Sequence, residues 1–141
     1  MKVLLDINVV LDVLLNRVPW VSEAAAIWDA HGAGQVAAHV AAFTIPTTFY
    51  IVRRQGDLQR AQDGVRLCLE SLEIIPTNRS TLESAQQQSG ADYEDNVQIA
   101  SAIEAQLDAI VTRDPAGFAH SPIEVLTPAQ LLQRLTATMA P

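Results

Sequence analysis

Carboxylates are the residues of this chain whose types and spacing could do chemistry. Asp6 ends the apolar run Val3-Leu4-Leu5, which is too short for a buried helix and the right length for a strand covered on both faces. Asp114 stands just past a second such run, Ala109-Ile110-Val111-Thr112. Between them, Asp92, Glu94 and Asp95 crowd the first turn of a helix that continues through Val97, Ile99, Ala102 and Ile103. Each acid has a plainer reading: Asp6 as a helix N-cap, the cluster at 92–95 as charge that complements a helix dipole. Asp92 alone suffices as a cap, however. Glu94 and Asp95 point to different sides, and Asp95 heads the face that returns to the core at Ile99, Ala102 and Ile103.

Unpaired carboxylates that meet must take up protons, find cationic partners or bind a cation. The only lysine is Lys2, and Arg113 is the one arginine near any of these acids in sequence. A hard divalent ion, Mg²⁺ or Mn²⁺, is the natural partner, since it takes oxygen ligands, keeps waters and holds a substrate phosphate. Asn8 and Thr112 stand beside Asp6 and Asp114, placed to hydrogen-bond the acids or an attacking water. No Cys–His pair, Ser–His pair or phosphate-cradling Gly-rich loop offers another route. The chemistry this donor set prefers is metal-dependent hydrolysis of a phosphodiester.

Positioning these acids requires the strands. Val3–Leu5, Gln35–Val40, Glu73–Ile75, Asp108–Thr112 and Glu124–Leu126 read as five short strands alternating with helices. That pattern predicts an α/β three-layer sandwich with a central parallel five-stranded sheet, in one domain over residues 1–141. In such sheets ligands collect at the carboxyl ends of the strands, so Asp6, Asp95 and Asp114 are expected to converge there. Asp12 lies one turn beyond Asn8 on the same helical face, either supporting the site or solvated. Trp20 and Trp28 are expected as core anchors, and Leu58, Leu67, Cys68 and Leu69 as the inner face of one helix. Ser80 and Glu83 have capping-box spacing.

The net charge of −7 argues against nucleic-acid binding through a broad basic surface. It leaves room for a site that bridges phosphate through cations, which needs acids. The single Cys68 precludes an internal disulfide and points to a reducing, cytoplasmic setting. The run after Lys2 is interrupted by Asp6, Asn8 and Asp12, unlike a signal peptide, and no stretch approaches the length of a membrane span.

Three segments, Val3-Leu4-Leu5-Asp6-Ile7-Asn8-Val9-Val10-Leu11-Asp12, Tyr93-Glu94-Asp95 and Asp108-Ala109-Ile110-Val111-Thr112-Arg113-Asp114-Pro115-Ala116-Gly117-Phe118, resemble in kind and order the motifs of the PIN domain family, which includes the VapC-type toxins of bacterial toxin–antitoxin pairs. The resemblance implies Asp6, Asp95 and Asp114 as catalytic and metal-site acids, supported by Asn8 and Thr112. It also implies magnesium-dependent cleavage of RNA, a homodimer and, in toxin members, a small antitoxin partner. Many members carry a Glu in the helix that here reads Thr44-Ile45-Pro46-Thr47-Thr48, and the nearest matching positions are Thr47 and Thr48. Glu94 is the candidate replacement, as in a subgroup with a Glu-Asp pair. Arg53, Arg54 and Arg60 form the basic cluster available to an RNA backbone; for Arg53 and Arg54, the end of a helix is a sufficient reason on its own. The missing Glu also sustains a second reading, a catalytically weakened PIN-like module that binds RNA or protein. A phosphoacceptor receiver domain does not fit, because Pro76 follows the third strand and no lysine lies late in the chain.

Overall fold

The computed structural model describes all of residues 1–141. Its elements run β1 (Lys2–Leu5), α1 (Ile7–Leu14), α2 (Val21–Gly32), β2 (Ala37–Ala41), α3 (Thr44–Gln55), α4 (Leu58–Ser71), β3 (Glu73–Ile75), α5 (Arg79–Gln86), α6 (Tyr93–Glu104), β4 (Ala109–Val111), a 3-10 turn at Pro115–Phe118, β5 (Glu124–Leu126) and α7 (Pro128–Met139). All five strands are parallel, in the order β3-β2-β1-β4-β5. The expected three-layer α/β sandwich is therefore the fold. The chain works outward from β1 to β3, then crosses back to lay β4 on the other side of β1. That reversal makes the carboxyl ends of β1 and β4 the topological switch point, the edge at which open α/β sheets collect ligands.

Strand residues alternate between the two helical layers, as the pleat requires. Val3 and Leu5 face the larger core, with Val9 and Val10 of α1, Ile27 of α2, Cys68 of α4 and Leu131 of α7. Leu4 and Ile110 face the smaller one, with Ile99 and Ala102 of α6 and Phe118 of the 3-10 turn. Phe118 is fully buried, an anchor worth about 2–3 kcal/mol that pins the turn following Asp114 against α6.

Five of the seven α-helices start on a side-chain cap, while α2 and α3 have none. Asp57 caps α4, Asp92 caps α6, and Thr127 with Gln130 forms a capping box on α7. On α5 the box is Asn78 with Thr81 rather than Ser80 with Glu83. Asn78 holds the extended backbone an N-cap needs, while Ser80 lies inside the first turn and Glu83 pairs with Arg79 at 2.7 Å.

Several apolar side chains expected inside lie outside. Leu58, Leu67, Leu69 and Ile103 are exposed. Consecutive helical residues are about 100° apart, so with Cys68 pointing straight into the core its neighbours Leu67 and Leu69 are turned to the flanks; Ile103 is turned away from buried Ala102 in the same manner. Trp28 packs on the core edge, but Trp20 is 43% exposed and is no core anchor. No helix is long and apolar enough to cross a membrane.

Candidate active site

Asp6 leaves β1 with its backbone N–H still bonded to the Val111 carbonyl of β4, at 2.9 Å. Its side chain does the cap's work and more. Oδ1 accepts from the Ile7 N–H at 2.7 Å and from Gln98 Nε2 at 2.8 Å, and Oδ2 accepts from the Thr112 hydroxyl at 2.7 Å. Thr112 is fully buried. With its proton committed to Asp6, its oxygen accepts the backbone N–H of Asp114 at 3.0 Å. The same hydroxyl thus orients one acid and fixes the backbone of another. Asn8 completes the arrangement: its amide reaches Thr112 Oγ1, and its carbonyl oxygen accepts from the Arg113 N–H, both at 3.4 Å.

Asp95 joins from α6, half-buried in the first turn, its N–H bonded to the capping Asp92. Gly117 shows how near it comes to Asp114. A Cβ on that glycine would lie 3.0 Å from Asp95 Oδ2 and 3.3 Å from Asp114 Oδ2, so the two carboxylates lie together beside it, too close for their charges to ignore one another. The Asp95 carboxyl is pushed up to about 7 by burial first, then by the negative charges of Asp92, Asp6, Asp114 and Glu94. The second contribution is what acids gathered without enough cations produce. Glu94 is exposed and adds to that field from outside.

The shift has a measurable consequence. A carboxyl whose value rises on folding binds its proton more tightly in the native state, so stability is greatest below the unfolded value of 3.8 and declines as pH climbs toward about 7. Solvent screening around this half-open group reduces the effect to about 1–2 kcal/mol. In EDTA, Asp95→Asn is expected to match the wild type in thermal unfolding near pH 4 and to melt higher than it at pH 8.

Other predicted residues are placed differently. Thr48 donates its hydroxyl to Thr44 O at 2.6 Å and Thr47 to Phe43 O at 3.0 Å, so both are spent on their own helix and neither replaces the absent acid. Arg53 and Arg54 project into solvent from the end of α3, and Arg60 reaches back to the Leu14 carbonyl at 3.2 Å; none of the three touches the carboxylates. Asp12 is buried, 1% exposed, and receives both the Nε and an Nη of Arg113 at 2.6 and 3.1 Å. It supports the loop after β4 and is not solvated.

Two contributors escaped the sequence reading. Gln98 is buried and holds Asp6 from α6; its position three residues after Asp95, hence on the same face, was the available signal. His120 Nε2 lies 2.8 Å from Asn96 Oδ1, and the Asn96 amide donates to Gly90 O at 2.9 Å. Together they clamp the segment after the 3-10 turn onto the first turn of α6, and a side chain at Gly90 would collide with both. Nothing in the sequence pairs positions 90, 96 and 120.

Residues 2–116 match the model of the PIN domain, and the chain belongs to the PIN domain family. Solved structures with the same fold include the DNA-bound VapBC of Salmonella typhimurium, with TM-score 0.70 and 16% identity over 91% of this chain and 98% of that one. A sarcin–ricin-loop-cleaving VapC toxin of Mycobacterium tuberculosis superposes with TM-score 0.69 and 10% identity over 83% and 93%. A toxin–antitoxin complex of Klebsiella pneumoniae gives 0.64 and 24% over 89% and 97%. Among curated protein sequences none matches the chain.

Proposed function

We propose that this PIN domain is a Mg²⁺- or Mn²⁺-dependent endoribonuclease, the toxin of a type II toxin–antitoxin pair. The observation that carries the reading is the gathering of Asp6, Asp95 and Asp114 around the switch point of the sheet, where burial first, and then the charges of its acidic neighbours, hold Asp95 up to about 7. No three acid or histidine side chains close around a single point, so the donor set does not form an all-protein cage. It suits magnesium, which binds through one or two carboxylates and fills its remaining positions with water and substrate phosphate. When bound, such an ion supplies Lewis-acid activation of water and neutralises charge on the phosphodiester. In this reading Asp95, Asp114 and Asp6 would hold the ion, with Asp6 aimed by Thr112 and Gln98 and Glu94 adding outer charge. Asp95 would have to be deprotonated to hold the ion, so affinity is expected to rise as pH climbs through about 7.

RNA backbone contacts fall to Arg53 and Arg54, the free members of the basic cluster. The likeness to a VapBC and to a toxin–antitoxin complex supports a small antitoxin partner, and a homodimer accompanies this reading. A weakened, binding-only module is the second reading, favoured by threonines at 47 and 48 whose hydroxyls are already used.

Calorimetric titration of Mn²⁺, beside single-turnover cleavage of structured and unstructured RNAs by antitoxin-free protein, tests the proposal. Saturable binding that Asp95→Asn removes, with cation-dependent cleavage, is the expected result. Absence of cleavage with every RNA offered, in the presence of bound Mn²⁺, overturns it in favour of the binding module.

A further inference from the structure

Trp20 sits where a tryptophan has no structural reason to be open. It lies just ahead of α2, with the Arg113 guanidinium 4.1 Å from its ring centroid, while 43% of the residue remains exposed. Arg113 is itself immobilised: its fork is bidentate to buried Asp12, and its backbone N–H bonds Asn8. A ring stacked on by a fixed planar cation and still 43% exposed offers its open surface at a set position, with little rotamer freedom left to lose. The arginine beneath it is the residue between Thr112 and Asp114. The platform is therefore one side chain away from the backbone that carries the acid.

We infer that Trp20 is a stacking site for an unpaired nucleobase flanking the scissile phosphodiester, and so selects single-stranded over duplex RNA. The inference rests on the ribonuclease reading above. Every base has a π face, which makes such a platform tolerant of sequence, but a base already stacked inside a duplex cannot use it. Asp12 neutralises Arg113, so the guanidinium does not compete for a phosphate; the Arg113–Trp20 stack simply extends by one more plane. An acidic protein with few free cations gains from such contacts, because they do not depend on charge.

The test is a binding cycle with short fluorescent single-stranded RNA in Ca²⁺, each nucleotide in turn made abasic, using wild type, Trp20→Ala and Trp20→Phe, with cleavage in Mg²⁺ followed in parallel. One abasic position is expected to weaken wild-type binding about 5- to 100-fold. Trp20→Ala should show that loss on intact RNA and no further loss at that position, with Trp20→Phe retaining most of the affinity and duplex RNA unaffected by either change. Cleavage and binding that ignore Trp20→Ala overturn the stacking site and leave the ribonuclease intact. Wild-type protein that neither binds nor cuts RNA overturns both. Loss of a dimer in Trp20→Ala by sedimentation, with RNA affinity per subunit unchanged, assigns the ring to a protein interface and overturns the stacking site.

Discussion

If the chain is the proposed ribonuclease, Asp114→Asn is expected to lower RNA hydrolysis by about 10³-fold while leaving the fold untouched. Asp114 is exposed, and its side chain makes no capping bond to the 3-10 turn that follows, so the amide displaces nothing. Its backbone stays fixed by Thr112 Oγ1. What disappears is one negative charge near Asp95, beside Gly117, and with it several kcal/mol of transition-state charge stabilisation in a cation-assisted site; about 4 kcal/mol corresponds to the stated factor. Unfolding should shift by no more than about 0.5 kcal/mol, the usual range for a surface change. Single-turnover kinetics on a cleavable RNA, paired with a melting curve, checks both halves. A variant that cuts at the wild-type rate removes Asp114 from the active site.

Asp12→Ala carries the largest expected effect on stability. It strips a buried charge from an arginine it binds through two hydrogen bonds, with Arg17 contributing more distantly at 3.9 Å. Removing one partner of a buried pair costs about 3–5 kcal/mol because the other charge is left desolvated. Arg113 is 24% exposed on its side chain, which permits some rehydration and places the expected loss near 3 kcal/mol. Against total stabilities of about 5–15 kcal/mol that loss is severe, and urea denaturation midpoints will show it. The cause is separable from lost packing: Asp12→Leu combined with Arg113→Met removes both charges, and is expected to recover most of the stability. If the double variant is no better than the single one, an unpaired charge is not the reason.

The two substitutions probe one loop by opposite means, and that contrast shows where sequence reasoning stopped. Asp12 on the face of Asn8 was legible as helical periodicity, but not what lay opposite it. Arg113 follows it by 101 positions, and only the adjacency of β1 and β4 brings the two side chains together. Gln98 is a similar case: its spacing from Asp95 was visible, its bond to Asp6 across 92 positions was not. Trp20 departs from the rule that a large aromatic is buried more often than not: it is 43% exposed, and the arginine stacked on it comes from the far end of the chain.

Local chemistry in the sequence determined the strands, the caps at Asp57, Asp92 and Thr127, the alternation that makes a parallel sheet, and the three acids at strand ends or a helix start. These depend on neighbours within one or two turns, where periodicity and capping preferences act directly. Tertiary structure alone decided that β4 lies beside β1, that Thr112 bridges Asp6 to Asp114, that Asp95 and Asp114 lie together beside Gly117, and which apolar residues stay outside. Those outcomes depend on strand order and on the angle at which each helix meets the sheet, both set by packing the whole core at once. No residue type or spacing within a single segment encodes them.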